Sequence, residues 1–90
     1  MPNYVVETYV PAGSRDAFAH AVDDLRSASE ASGELRLVRS FLVPGDEMGF
    51  HVVEARTATD VETLTAVAGI EPERIVEMLP VEGAAGEGPS

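Results

Sequence analysis

The chain begins with a segment in which the side chains alternate with a period of two residues. In the segment that follows, apolar residues recur at helical spacing. Residues 3–10 alternate in β-forming side chains and end in a Pro-Ala-Gly sequence that cannot continue a strand ladder. Apolar residues then recur at helical spacing over 18–28, after Ser14, which we expect to cap the helix. Gly33 marks its end. The sequence therefore predicts a strand and then a helix running to about Ala31.

An antiparallel hairpin is the clearest local feature of the next segment. Residues 35–43 and 48–55 both alternate between apolar and polar positions, and the polar turn 44–47 lies between them. These two runs are predicted to be neighbouring strands.

A second helix is predicted from a capping pattern. Thr59-Asp60-Val61-Glu62 has the Thr-x-x-Glu form of a capping box, and Gly69 stands where such a helix would end. The expected buried stripe consists of Val61, Leu64, Val67 and Ala68. One further turn is expected at 71–74, and 75–81 is the last strand-like run.

The order β-α-β-β-α-β in 90 residues predicts the ferredoxin-like α+β arrangement, a four-stranded antiparallel sheet with two helices on one face. The first and third strands are expected to form its central pair, and to run parallel. We expect one domain over residues 1–82. The Gly-rich and Ala-rich residues 83–90 have nothing to bury and are predicted to be a flexible tail.

Side-chain parity assigns each strand residue to one of the two sheet faces. The smaller aliphatic set is assigned to the helix face: Val6, Thr8, Val10, Val38, Ser40, Leu42, Val53, Ala55, Val76 and Met78. The complementary set is assigned to the open face: Val5, Glu7, Tyr9, Leu35, Leu37, Arg39, Phe41, Phe50, Val52, Glu54, Ile75, Glu77 and Leu79. Soluble monomers rarely expose so large an apolar patch. We therefore expect a homodimer whose two open faces enclose a cavity.

Charge and composition narrow the classes of function. Sixteen acidic and six basic side chains give a formal charge of −10, which opposes binding to nucleic acid and to anionic membranes. The chain has no cysteine, so disulfide scaffolds, zinc-thiolate sites, iron–sulfur clusters and cysteine nucleophiles are excluded. No apolar stretch has the length of a membrane span and no signal-peptide pattern occurs, so we expect a cytoplasmic protein.

The candidate chemistry lies mainly on the open face. Glu7 and Glu54 are expected to face each other in the cavity, where crowding would raise the pKa of one carboxyl and let the pair exchange protons or hold a hard cation. The alternatives for these two residues are an ion-pair network with Arg39 or, in a monomer, a solvated sheet face. Tyr9 has two interpretations, a group that orients a ligand or an interface aromatic.

The two histidines offer a second kind of site. His51 lies in the middle of a strand and could ligate a metal together with Glu7 and Glu54, or act as an acid or base. Since parity directs it to the helices, the alternative is a buried histidine bonded to Ser40, Thr8 or the backbone. His20, with Asp16 and Asp24 four residues away on either side, has the spacing of a helical metal clasp or of an ordinary solvated face.

Four short segments resemble a family of small actinobacterial ferredoxin-like proteins that includes a nickel-binding, nickel-responsive member. The segments are residues 4–7, 38–43, 50–55 and 68–75. The resemblance implies a dimeric α/β sandwich and divalent-metal binding, and Glu7 and Glu54 match its pattern. The chain departs from that pattern at Arg39 and Leu64, where the family has histidines, and at His51, where it has a cysteine. A cation at position 39 opposes a metal on that face and suits an organic carboxylate or an enolate.

Two hypotheses follow. The first is a homodimeric binding protein that holds a small ligand or a divalent metal through Glu7, Arg39, Glu54 and His51. The second is a cofactor-independent cyclase, isomerase or oxygenase acting on an aromatic or polyketide-like substrate. In that enzyme Glu54 or Glu7 would be the general base, Arg39 would stabilise an enolate and Tyr9 would orient the substrate.

Overall fold

The computed structural model describes residues 1–81, and the predicted element order is confirmed. The strands are β1 (Asn3–Tyr9), β2 (Arg36–Val43), β3 (Met48–Glu54) and β4 (Arg74–Met78), and the helices are α1 (Arg15–Ser32) and α2 (Ala58–Ala68). The sheet order is β2-β3-β1-β4, which confirms the ferredoxin-like α+β fold. The domain limit at residue 82 and the predicted tail lie outside the described residues. None of the helices within 1–81 is long and apolar enough to cross a bilayer.

The central pair of strands is β1 and β3, as predicted, but the two run antiparallel. The prediction of a parallel pair is wrong because helix α1 returns the chain so that β2 runs parallel to β1, and the hairpin then reverses β3. Strand β3 lies between those two, so each neighbouring pair in the sheet is antiparallel.

The helix ends depart from the predicted caps at both N-termini. Ser14 precedes α1, but its side chain makes no capping hydrogen bond. The cap of α2 is Thr57, not Thr59: Thr57 is extended, and its Oγ1 accepts a hydrogen bond from the backbone N–H of Asp60 at 3.1 Å. Both C-terminal glycines are confirmed, since Gly33 and Gly69 adopt φ of 73° and 76°, in the left-handed region.

Two expectations near the second helix are wrong. Val67 is 72% exposed, and the buried stripe of α2 runs through Val61, Leu64 and Thr65, which follow helical spacing more closely. The expected turn at 71–74 does not form, because residues 70–73 cross irregularly to β4 and the N–H of Glu73 bonds the backbone oxygen of Glu7 at 2.6 Å.

The core lies between the sheet and the two helices. Leu25 of α1 and Val61 of α2 are fully buried against Val6 and Val53 of the central strands. The remaining members of the buried cluster are Tyr4, Leu37, Ala55 and Leu64. Both helices therefore cover the same face of the sheet and leave the other face open.

A β-bulge overturns the predicted parity at the start of β2. Leu37 pairs with Val53 and Arg39 with Val52, so Val38 is an extra residue in the ladder. Leu37 is consequently 4% exposed in the core, and Leu35 packs against that core, whereas both were assigned to the open face. Val38, which was assigned to the helix face, is 39% exposed.

The parity predicted for β4 is also wrong. Ile75 lies opposite Val6 and packs against the core, while Val76 lies opposite Val5 on the open face. Met78 follows Val76 onto the open face, and Glu77 lies opposite Tyr4 on the helix side. Leu79, which was assigned to the open face, lies beyond the end of β4. The run 75–79 carries apolar residues at both parities, so only its pairing with β1 decides the face.

The open face keeps the apolar character that was predicted for it. Rows of paired residues across all four strands place its apolar side chains together: Val5, Phe41, Val43, Met48, Phe50, Val52, Val76 and Met78. Phe41 is 45% exposed and Met78 39% exposed. This surface is called the open face below.

Candidate functional site

The carboxylates predicted to meet on the open face belong to two separate ion pairs. The Oε2 atom of Glu7 lies 3.0 Å from Nε of Arg74, and the Oε1 atom of Glu54 lies 3.3 Å from Nε of Arg36. Glu7 is paired with Phe50, four residues before Glu54 on β3, so the backbones of the two glutamates lie roughly 13 Å apart along the strand direction. The expected crowding of Glu7 against Glu54 does not occur within one subunit.

Arg39 and Tyr9 do not join either carboxylate pair. The guanidinium carbon of Arg39 lies 5.9 Å from the centre of the Phe41 ring, a cation–π contact. The Tyr9 hydroxyl donates to Glu47 Oε1 at 3.2 Å. The negative charge of Glu47 and, second, this hydrogen bond raise the pKa of Tyr9. The constellation assigned to the enzyme hypothesis is therefore dispersed within one chain, and that hypothesis stays a prediction.

The predicted metal ligands also lie apart. His51 pairs with Val6 on the helix side of the sheet, whereas Glu7 and Glu54 are on the open face. The part of the chain that the structure describes contains no group of three His, Cys, Asp or Glu side chains placed to hold a metal ion, and this includes the segment around His20. Glu7, Glu54 and His51 of one subunit thus do not fit a shared nickel or other divalent ion.

His51 is one of the buried polar residues on the helix side of the sheet. Its side chain is 1% exposed, and its Nδ1 lies 2.7 Å from Ser40 Oγ on the neighbouring strand. Register explains this contact, because Ser40 and His51 are directly paired across the β2–β3 ladder. The structure shows the alternative given above for His51, a buried histidine on the helix side, and of the three partners considered it is Ser40 that bonds to the ring.

A close approach of α1 to β3 orients the imidazole. The Phe18 ring stacks on the His51 ring, with centroids 5.1 Å apart and an interplanar angle of 19°. The Phe18 ring also lies directly over Gly49, where a Cβ atom would overlap its Cε1. Gly49 is therefore required for this arrangement, since only a residue without a side chain lets the ring approach the strand.

A groove of about 570 Å³ opens above these rings. Its walls come from the end of β1, the first two turns of α1 and the segment 69–73 after α2. The lining residues are Thr8, Tyr9, Val10, Pro11, Ser14, Ala17, Phe18, Ala21, His51, Gly69, Ile70, Glu71 and Glu73. Its volume falls within the range of small-molecule sites in proteins, ~300–1,000 Å³. This surface is called the groove below.

Burial sets the protonation state of the imidazole. Loss of solvation lowers the pKa of His51 from 6.5 to about 4, so the ring is neutral at physiological pH. In a neutral imidazole one nitrogen donates a hydrogen bond and the other nitrogen accepts one. Because a general base works best with a pKa near the operating pH, His51 suits hydrogen bonding to a ligand better than proton abstraction.

Sequence reasoning missed the groove, although it identified His51. The groove is assembled from four separated segments, and no local pattern joins them. The small residues Ala17 and Ala21 on one side of α1, with Gly49 beneath Phe18, are the signal that could have revealed it, because they leave space where larger residues would fill the interface.

Comparison with known proteins adds a fold relationship. No protein-family model matches the chain, and no curated protein matches it. The chain is similar to the crystal structure of SCO4226 from Streptomyces coelicolor A3(2), with a TM-score of 0.73 over 90% of this chain and 99% of that one, at 16% sequence identity. This likeness shows the shared fold alone, and one fold hosts many functions.

Proposed function

We propose that this protein is a homodimeric small-ligand-binding protein whose ligand lies in the groove against Phe18 and His51. The observation that carries the proposal is a buried, neutral imidazole among the residues that line a groove of ligand-sized volume. The binding site is thus placed on the helix side of the sheet, in contrast to the sheet-to-sheet cavity expected from the sequence.

The groove supports binding because it combines apolar walls with one fixed polar group. Val10, Phe18 and Ile70 supply apolar surface for the body of a ligand. The only hydrogen bond to the His51 ring among the described residues is made at Nδ1. The second nitrogen, Nε2, has no hydrogen bond to the described residues, and we propose that it bonds to the ligand while the stacked Phe18 ring holds the imidazole in place.

The groove can be tested with 4-ethylphenol, a compact neutral probe with an apolar body and one hydroxyl. We expect saturable shifts of groove amide resonances in an NMR titration, with a Kd on the order of 1 mM for a fragment of this size. Ala21→Leu places a larger side chain in the groove and should abolish saturation. Ala19→Leu makes the same change at an exposed position of α1 outside the groove and should leave binding unchanged.

Either of two results would overturn groove binding. One is a wild-type protein that shows no saturable shifts; the other is an Ala21→Leu protein that binds as well as wild type while its spectrum remains dispersed. The dispersion of the spectrum separates loss of the groove from loss of the fold.

The homodimer is proposed through the open face, and a second copy of this chain is its partner. Three of the six arginines, Arg36, Arg39 and Arg74, lie on this face together with two carboxylates, although the whole chain carries −10. Two such faces can meet without bringing the acidic charge of the two subunits together. The exposed apolar side chains between these ion pairs supply the driving force.

Sedimentation velocity at micromolar concentration tests the dimer. We expect a species of twice 9.5 kDa for the wild type. Phe41→Asp buries a charge in the proposed interface and should give a monomer, whereas Val67→Asp, an equal change on the exposed side of α2, should remain dimeric. A wild-type particle of 9.5 kDa would contradict the proposal.

A further inference from the structure

We infer that the groove selects a cation, and that its ligand is an organic amine whose apolar body lies on Phe18 and whose ammonium group lies beside Glu71 and Glu73. This inference rests on the proposed function, because it names the chemical class that the groove would bind. It adds a charge requirement that groove binding by itself does not contain.

The charge of the groove favours a cation. Glu71 and Glu73 lie on the wall formed by the segment after α2, and the described residues that line the groove include neither lysine nor arginine. Arg74, which follows Glu73 in the sequence, is directed to the other face of the sheet, where it pairs with Glu7. A ligand ammonium would therefore meet two carboxylates and no cation on the walls.

The acidic wall is held in place by backbone hydrogen bonds at both ends. The N–H of Ile70 donates to the oxygen of Thr65 at 2.8 Å, and the N–H of Glu73 donates to the oxygen of Glu7 at 2.6 Å. The proline at position 72 further restricts the backbone between the two glutamates. The backbone that carries both glutamates is thus fixed on one side of the groove, so binding there costs little further backbone entropy.

A second, independent feature points to a ligand in the same groove. His51 is only 1% exposed, and it is one of the residues that line the groove. Its ring makes one hydrogen bond to the described residues, at Nδ1. A hydroxyl on the ligand body can donate to Nε2 when Nδ1 donates to Ser40 Oγ. The groove therefore fits a molecule with a hydroxyl at its inner end and an ammonium group at its outer end.

Three probes of similar shape test the effect of ligand charge separately from binding in the groove. Tyramine carries the phenol and an ammonium group, 4-ethylphenol carries the phenol alone, and 3-(4-hydroxyphenyl)propionate carries the phenol and a carboxylate. We expect tyramine to bind about 3- to 10-fold more tightly than 4-ethylphenol at low salt, and the propionate to bind more weakly than both. The advantage of tyramine should shrink as salt is added.

Variants that remove the negative charges of the wall test whether these glutamates cause the tighter binding of tyramine. Glu71→Gln with Glu73→Gln should lower the affinity for tyramine much more than the affinity for 4-ethylphenol, and so remove most of the advantage of tyramine. The matched control, Glu30→Gln with Glu34→Gln, removes the same charge from exposed positions outside the groove and should preserve the advantage.

The outcomes distinguish this inference from the proposed function. If none of the three probes shifts the groove resonances, groove binding itself fails. If 4-ethylphenol binds in the groove and tyramine binds no more tightly, groove binding stands and the cation inference is overturned. Equal loss of tyramine affinity in both double variants would also overturn it, because the effect would then come from net charge.

Discussion

Acidification should destabilise the fold through His51. The folded chain holds this imidazole with a pKa of about 4, while the unfolded chain has the ordinary value of 6.5. Between these values the unfolded chain takes up a proton that the folded chain does not bind, so falling pH favours unfolding. The contribution of neutral His51 to the stability of the folded chain is fully present above pH 6.5 and is lost as the pH falls toward 4.

The size of the effect follows from the same two values. Linkage gives a loss of about 2 kcal/mol in unfolding free energy between pH 7 and pH 5, and nearly 3 kcal/mol by pH 4. The window from pH 7 to pH 5 is the more useful one, because most of the loss that comes from His51 falls within it. The ionisable groups that share the groove with His51 are Tyr9, Glu71 and Glu73, all exposed.

Urea unfolding at fixed protein concentration measures this loss. His51→Gln keeps a polar side chain beside Ser40 but does not titrate, so the difference in stability between wild type and this variant should shrink by about 2 kcal/mol from pH 7 to pH 5. His20→Gln, at an exposed position of α1, should follow the wild type. A difference between wild type and His51→Gln that does not change with pH would refute the assignment of a buried, neutral imidazole.

Two further substitutions test the local packing and the helix cap. Gly49→Ala should cost about 1–3 kcal/mol in unfolding free energy and displace the Phe18 ring, since a Cβ there overlaps that ring; unchanged stability by urea unfolding would contradict the close approach. Thr57→Ala should cost about 1 kcal/mol because it removes the acceptor for the Asp60 N–H, whereas Thr59→Ala should cost much less; equal losses in thermal unfolding would refute Thr57 as the cap.

The sequence carries enough information for the element order and for the fold. The alternation over β1 and over the hairpin, and the glycines at both helix C-termini, each predict a structure that is observed. These signals are local, because the period of a segment and the residue at its end depend on that segment alone. The side chains of β1 that face the helices can also be predicted from the alternation within that strand, and Val6 is fully buried as expected.

Side-chain direction on the edge strands depends on pairing and could not be predicted in the same way. The extra residue Val38 shifts the parity of β2 between Leu37 and Arg39 without any change in its apolar composition. In β4, Ile75 and Val76 are both apolar, and only the pairing of Val6 with Ile75 decides which of them packs against the core. Glu7 and Glu54 do not meet within one subunit, because register, not parity, sets their separation.

The candidate site was predictable only in part. His51 and its partner Ser40 follow from strand alternation, because a polar pair on the helix side must satisfy itself by hydrogen bonding. The groove above His51 depends on how α1 and the segment after α2 sit over the sheet. That arrangement depends on tertiary packing among residues far apart in sequence, so no local sequence pattern predicts it.

Mapping a bound probe on the protein by NMR tests directly whether the ligand lies on the helix side of the sheet. In a titration with 4-ethylphenol, the largest saturable shifts should fall on residues of the groove, including Thr8, Phe18 and His51. Shifts concentrated on Phe41 and Phe50 would place the ligand on the open face and contradict the claim.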